Sequence, residues 1–271
     1  MTQNKYAIAI VSICLNENYW PFLATMLESC RKLLLKGHQV DYFTWSDMPE
    51  AEALKMGVNL IPTEPTQWPI PTLKRYHLFL QQEEKLSQYD YIFYIDADME
   101  VVSRVGDEIL GPGLTMAKHP MYDVNRIFIP PYEPNPKSAV YIKRPGRVKD
   151  IVDFDGKQKK WFEPLYAAGG FQGGRSVEFI QAMKDMTGLV NDDFTKNYIP
   201  IWNDETVWNY YLLDHPPAVV LSPSYVYPDS LITSYYKGKI WLRNYCPKIV
   251  TITKKFSQNA EGGFNLAALL Q

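Results

Sequence analysis

Two aspartates, Asp96 and Asp98, flank Ala97 directly behind the apolar run Tyr91–Ile95. Residues i and i+2 of an extended chain point the same way. Both carboxylates can therefore converge on one hard cation, such as Mn²⁺ or Mg²⁺. A cation so held can bridge a substrate diphosphate and neutralise a leaving group. The plain alternative is two acids that end a strand in a turn. The apolar strand leading into them favours the chemical one. A second acidic group stands at Trp202-Asn203-Asp204-Glu205-Thr206. With Asn203 or Asp204 as the N-cap, Glu205 falls in the first helical turn, where the helix dipole favours its ionised form. A fixed, charged carboxylate suits stabilising an oxocarbenium-like centre, acting as a nucleophile or binding a sugar hydroxyl. A capping acid without chemistry is the alternative.

Two further segments carry lesser signals. Ala168 to Gly174 holds four glycines in seven residues, which lets backbone approach a ligand closely. It lacks the G-x-G-x-x-G spacing of a dinucleotide loop, and no Walker lysine follows. Read without a ligand, it is a packing turn before a helix. From Lys237 to Lys255 there are six basic residues and no acid. Near a diphosphate they supply positive charge; otherwise they form a solvated face. His119 precedes Pro120 where a loop-rich stretch begins, while His38, His77 and His215 read as structural or exposed.

The elements that must position these groups follow from hydrophobic spacing. Strands are expected at Ile8–Ile13, Val40–Trp45, Val58–Ile61, Tyr91–Ile95 and Val219–Leu221. Helices are expected at Trp20–Leu35, ended by Lys36-Gly37, at Thr72–Leu86, at Ser176–Met186 and at Glu205–Leu213. The alternation implies a parallel sheet covered by helices, with ligands at the carboxyl ends of its strands. Residues 119 to 165, with seven prolines and the charged stretch Arg144–Lys160, read as long loop.

The 271 residues suffice for one large α/β domain. Hydrophobic residues at 46% and charged residues at 21% exclude general disorder. A net charge of −2 argues against a nucleic-acid binder held by bulk charge. Cys14, Cys30 and Cys246 are too few for a disulfide scaffold or a four-thiolate zinc site. The apolar run Ala7–Leu15 is too short for a membrane span and is followed by Asn16, Glu17 and Asn18, so it reads as a strand.

In family order the chain shows Lys36-Gly37-His38 with Tyr42-Phe43-Thr44-Trp45-Ser46-Asp47, then Thr72-Leu73-Lys74-Arg75, then Tyr94-Ile95-Asp96-Ala97-Asp98-Met99-Glu100. His119-Pro120, Ala168 to Gly174, Trp202-Asn203-Asp204-Glu205 and Leu221-Ser222-Pro223-Ser224-Tyr225 follow. Together these pieces resemble glycosyltransferase family 6, the family of the histo-blood-group A and B transferases and the α-1,3-galactosyltransferases. The resemblance spans roughly residues 6 to 255. Asn203 stands where the family usually carries histidine, and D-x-D stands where bacterial relatives often carry N-x-N.

The resemblance implies an α/β protein of the GT-A fold, a Rossmann-like mixed sheet flanked by helices. It implies one catalytic domain over 1–271: about 1–100 for the nucleotide, about 101–236 for acceptor and catalysis, and 237–271 closing over the donor. The implied reaction is retaining transfer of N-acetylgalactosamine or galactose from a UDP-sugar to the 3-hydroxyl of a galactose-containing oligosaccharide. Asp96 and Asp98 then hold Mn²⁺, with Mg²⁺ as the substitute. Ser12, Ile13, Cys14 and Tyr19 lie near uracil, and Arg75, Ala168, Gly169, Gly170 and Asp204 meet the donor sugar. Lys248 and Lys254 meet the diphosphate. Glu205 matches the nucleophile, and His119, Trp202 and Asp229 match acceptor contacts. With no nucleic-acid partner and no membrane anchor, a soluble, cytoplasmic, microbial-type member is expected. Three rivals are a galactose-specific α-1,3-transferase, a D-x-D phosphohydrolase and an inactive sugar-binding module. Glu100 occupies the position where the phosphohydrolase pattern wants Thr or Val.

Overall fold

In a computed structural model of the chain, the residues described are 5–122, 131–143, 147–152, 158–163, 166–230 and 245–254. The strands are β1 (Ala7–Cys14), β2 (Gln39–Ser46), β3 (Asn59–Pro62), β4 (Tyr91–Ile95), β5 (Met99–Val101) and β6 (Leu114–Lys118). After them come β7 (Arg147–Val152), β8 (Gln158–Glu163), β9 (Ala167–Arg175), β10 (Val219–Leu221), β11 (Tyr227–Pro228) and β12 (Ile249–Thr251). The helices are α1 (Trp20–Leu33), α2 (Glu50–Met56), α3 (Ile70–Leu73), α4 (Arg75–Leu80), α5 (Glu83–Leu86), α6 (Ser176–Thr195) and α7 (Asn203–Asp214).

A seven-stranded sheet runs in the order β10-β6-β9-β4-β1-β2-β3. β1 is parallel to β2 and β4, and β10 is parallel to β6. β9 alone in this sheet runs against its neighbours β4 and β6. The sheet is therefore mixed, as the family resemblance implies, and not purely parallel as strand–helix alternation alone suggests. Ile8, Ile10, Phe93 and Ile95 face one apolar layer, beneath Leu23, Met26 and Cys30 of α1. The intervening Ala9, Val11, Ile92 and Tyr94 face the other, with Tyr76, Phe79, Phe179, Met183 and Trp208. The strict period of two puts both layers on helix-covered faces, which is why these strands read as unbroken apolar runs.

The glycine segment is not a turn. It is most of β9, in the centre of the sheet, and packing explains half of its glycines. A Cβ on Gly173 would lie 2.3 Å from the Ile92 carbonyl oxygen, and Gly174, at φ +141°, would meet the Gly113 carbonyl oxygen at 2.3 Å. Gly169 and Gly170, by contrast, line a cleft.

Other boundaries also differ from those expected. α1 stops at Leu33, because Leu34 and Leu35 leave the helix to be buried and the Leu35 N–H donates to Val105 O (2.7 Å). Lys36 still serves the helix end: its Nζ donates to Arg31 O (2.9 Å). The expected helix over 72–86 is three short ones, broken at Lys74 and Gln82. Part of the expected long loop is the antiparallel hairpin β7–β8. In the C-terminal segment, β12 sits between β5 and β11, with Ile249 and Val250 buried. Among the described residues no helix is long and apolar enough to cross a membrane.

Candidate active site

β4 and β9 meet where the acidic pair begins. The Asp96 N–H donates to Gly170 O (3.0 Å), fixing Asp96 just past the strand end. The Tyr94 hydroxyl donates to Asp96 Oδ1. Asp98 is 6% exposed, and its carbonyl accepts from the Ile252 N–H (2.8 Å).

Arg75 binds this end of the sheet to α7. It is 3% exposed and lies flat on Tyr94, its guanidinium carbon 3.8 Å from the ring centre. Its Nη1 donates to Gly169 O (2.9 Å) and pairs with Asp204 Oδ2 (2.8 Å), while Nη2 stands 3.6 Å from Asp96 Oδ1. One planar fork thus holds two acids and one carbonyl in fixed relation. The break before α4 is what turns Arg75 inward.

α7 is locked to β9 by Asn209. The Ala167 N–H donates to Asn209 Oδ1 (2.7 Å), and Asn209 Nδ2 donates to Ala167 O (2.8 Å) and Glu205 O (2.8 Å). The helix starts differently from expectation. Trp202 is the N-cap, and its N–H donates to Thr206 Oγ1 (3.0 Å). Asn203 takes φ +51°, a left-handed backbone that asparagine tolerates well. Glu205 Oε2 accepts from the Gly169 N–H (2.8 Å).

Burial overrides the helix start at this carboxylate. It pushes the Glu205 carboxyl up to about 7, against the pull of the Gly169 N–H. The expectation of an ordinary, low-lying acid at Glu205 is thereby corrected. Asp204 is pushed up to about 6, again by burial, with Arg75 opposing. Asp98 is raised by burial and then by Asp96, while Lys254 opposes.

These groups line one cleft with two lobes. The larger, about 560 Å³, is walled by Ile13, Tyr19, Trp68, Arg75, Asp96, Asp98, Trp202, Asp204 and Lys254 among others. The smaller, about 390 Å³, is walled by His119, Pro120, Met121, Ala168, Val226, Pro228 and Thr251–Thr253 with others. Asp96, Gly169, Gly170 and Glu205 belong to both. Glu205 thus stands at the junction of the two lobes.

Four expected site residues are placed elsewhere. Ser12 and Cys14 alternate with Ile13 and are buried on the far side of β1. The Ser12 hydroxyl lies 3.2 Å from that of Thr44, and burial pushes the Cys14 thiol up to about 12. Lys248 Nζ is paired with Glu108, which also accepts from the Tyr225 hydroxyl (3.0 Å). Asp229 accepts from the Thr253 N–H (2.9 Å) and hydroxyl, so it supports the smaller lobe without lining it. Trp202, expected at the acceptor, lines the larger lobe and is half-exposed.

Sequence reading missed other residues. Trp68 lines the larger lobe and is 67% exposed. Tyr166 packs behind Glu205. Glu133 is fully buried and accepts from the Tyr198 hydroxyl (2.7 Å) and the Ile201 N–H (2.8 Å), bracing the approach to Trp202. Only Asn209, four residues after Glu205 on one helix face, had a readable spacing.

The chain's likeness to known proteins agrees with this geometry. The profile of Glycosyltransferase family 6 matches residues 2–240. Histo-blood group ABO system transferase 1 of Rattus norvegicus is 32% identical over 224 residues, covering 80% of this chain and 60% of the relative. O-antigen biosynthesis glycosyltransferase WbnI of Escherichia coli is 26% identical, covering 82% and 88%. Globoside alpha-1,3-N-acetylgalactosaminyltransferase 1 of Homo sapiens is 25% identical, covering 78% and 58%. The match spans about 60% of the length of the two mammalian relatives. With a mixed α/β sheet consistent with a GT-A-like fold and a profile match over most of its length, the chain belongs to glycosyltransferase family 6.

Proposed function

We propose that the protein is a retaining transferase that moves N-acetylgalactosamine, or galactose, from a UDP-sugar to the 3-hydroxyl of a galactose-containing acceptor, forming an α-1,3 linkage. The observation that carries this reading is Glu205 at the junction of two lobes, with Asp96 and Asp98 in one of them. In this reading the donor fills the larger lobe, uracil toward Ile13 and Tyr19 and hexose toward Arg75, Gly169, Gly170 and Asp204. The acceptor enters the smaller lobe beside His119 and Ala168, with Trp202 at the border.

The acidic pair fits a divalent cation. Asp96 and Asp98 offer hard oxygen ligands, and the Lys254 ammonium already stands 2.8 Å from Asp98 Oδ2 as an internal cation. Among the described residues no group of three His, Cys, Asp or Glu side chains is placed to hold a metal ion. Two carboxylates would be a partial shell, leaving the remaining ligand positions to groups from outside the protein. Mn²⁺, or Mg²⁺, then supplies charge neutralisation of the departing diphosphate.

The chain's own groups do the rest. Arg75 and Asp204 orient the hexose through hydrogen bonds. The bond from C1 to the diphosphate oxygen breaks and UDP departs with that electron pair; the acceptor O3 bonds to C1 and its hydroxyl proton passes to the departing diphosphate. Ionised Glu205 either bonds to C1 between two inversions or stabilises its positive charge during a same-face exchange. Both keep the anomeric configuration. The deciding experiment is a glycan-array screen with UDP-N-acetylgalactosamine and UDP-galactose, followed by linkage analysis of the product. UDP release coupled to an α-1,3-linked sugar on a galactose terminus is expected. Free phosphate or no reaction with any acceptor overturns the reading.

A further inference from the structure

Tyr166 stands immediately before β9, and its side chain is 2% exposed. Three rings hold it edge-on: Tyr122 at 5.1 Å, Tyr132 at 5.4 Å and His119 at 5.8 Å between centres. Its backbone is equally fixed. The Tyr166 carbonyl accepts from the His119 N–H (2.8 Å), and the next residue, Ala167, carries the double hydrogen bond to Asn209. The phenol therefore has little freedom to move.

Its hydroxyl is buried and makes no well-formed hydrogen bond. Buried hydroxyls nearly always have a partner, so an unmet one calls for a physical account. The charged neighbour that acts on this hydroxyl most strongly is the Glu205 carboxylate. Glu205 Oε2 is already engaged by the Gly169 N–H, and the Tyr166 hydroxyl is a second donor that acts on this carboxylate. A rigid donor beside a half-satisfied carboxylate is the arrangement needed to fix both oxygens of a reacting group.

On the reading that Glu205 acts at C1 of the donor sugar, we infer that Tyr166 is a positioning residue that donates its O–H to Glu205 Oε1 once a hexose occupies the cleft. Gly169 and Tyr166 then hold the carboxylate from two sides, one oxygen each.

The test compares Tyr166→Phe with Tyr132→Phe, a ring of the same cluster that is not assigned to the site. Tyr166→Phe is expected to lower kcat at least tenfold, to leave KM for donor and acceptor within twofold, and to keep or raise the thermal midpoint. The midpoint holds because the substitution deletes only an unmet buried hydroxyl. Tyr132→Phe is expected to leave kcat within twofold. Equal kcat losses in the two variants, or kcat within twofold of the parent in Tyr166→Phe, overturn the inference. Glu205→Gln, measured alongside, separates this from the reading beneath it. Near-parental turnover in Glu205→Gln removes the role of Glu205. Its collapse, with Tyr166→Phe fully active, removes only that of Tyr166. In the double variant the two losses are expected to be far from additive, because both act through one carboxylate.

Discussion

Lys254 Nζ and Asp98 Oδ2 form an ion pair of 2.8 Å inside the larger lobe of the cleft, with the ammonium also 5.1 Å from the centre of the Tyr19 ring. The lysine therefore neutralises the carboxylate to which we assign a divalent cation. On that assignment, cation and lysine would compete for Asp98 until a diphosphate gave the lysine another anion. Mn²⁺ alone is expected to bind weakly, and UDP to tighten it at least tenfold, as followed by electron paramagnetic resonance of free Mn²⁺. Lys254→Ala should tighten Mn²⁺ binding without UDP and abolish most of the enhancement by UDP. Asp98→Asn should lose the binding altogether, and excess EDTA should stop transfer. Tight Mn²⁺ binding by the parent protein without UDP would falsify this competition.

The Glu205 carboxyl titrates near 7, so the ionised form grows in through neutral pH. kcat/KM, which reports the free enzyme, should climb between pH 6 and pH 8, with its half-point near 7. The sign for stability is the opposite. A carboxyl whose folded pKa is raised holds its proton in the folded state after the unfolded state has lost it. Stability is therefore lost as pH rises through the window from the ordinary carboxylate range to about 7. Glu205→Gln removes that loss and should stabilise the fold at pH 8, by on the order of 2 kcal/mol, and much less at pH 5. Its kcat should fall steeply at both. A thermal midpoint at pH 8 unchanged or lowered by Glu205→Gln would contradict the assigned burial cost.

Gly170 touches both donor choice and the acidic pair. A Cβ there would lie 2.8 Å from Asp96 Oδ2 and 2.9 Å from Met99 Cε. The methionine end can yield, whereas Asp96 is pinned by Tyr94 and stands close to Arg75. Gly170→Ala should therefore weaken Mn²⁺ binding in the presence of UDP severalfold and reduce kcat, with little effect on folding. On the proposed reading, the small Ala168 and Gly170 beside the donor hexose are expected to make the parent protein prefer UDP-N-acetylgalactosamine to UDP-galactose. The comparison is kcat/KM for the two donors on one acceptor, and a clear galactose preference decides against it.

Glu133 joins the loop at 131–143 to the turn before α7. Replacing it with glutamine exchanges one acceptor oxygen for an NH₂, which then faces either the Ile201 N–H at Oε2 or the Tyr198 hydroxyl and Asn135 N–H at Oε1. A buried donor left unmet costs about 1–3 kcal/mol. Glu133→Gln should lower the thermal midpoint by several degrees and raise KM for the donor more than for the acceptor, since Trp202, which follows the braced turn, lines the larger lobe. An unchanged midpoint would show that the loop does not depend on this carboxylate.

Local sequence determined much of what surrounds these residues. The apolar runs of β1 and β4, the acidic pair behind β4 and a helix beginning near Glu205 are all set by patterning within a few residues, and the structure keeps them. The order of the motifs was enough to identify the family. What the tertiary structure alone decided depends on partners far away in the chain. Gly173 and Gly174 are glycines because Ile92 and Gly113 come within 2.3 Å of where a side chain would begin. Ser12 and Cys14 turn from the cleft because they alternate with Ile13 along β1 and share the face that α1 covers, where Ser12 meets Thr44. Lys254 reaches Asp98 while Lys248, six residues earlier, is held by Glu108. A helix start by itself would favour the ionised form of Glu205; burial within the walls of the cleft desolvates it and raises it to about 7, against the pull of the Gly169 N–H and the Tyr166 hydroxyl. Desolvation acts through space, and a linear pattern records only which side chains are neighbours along the chain.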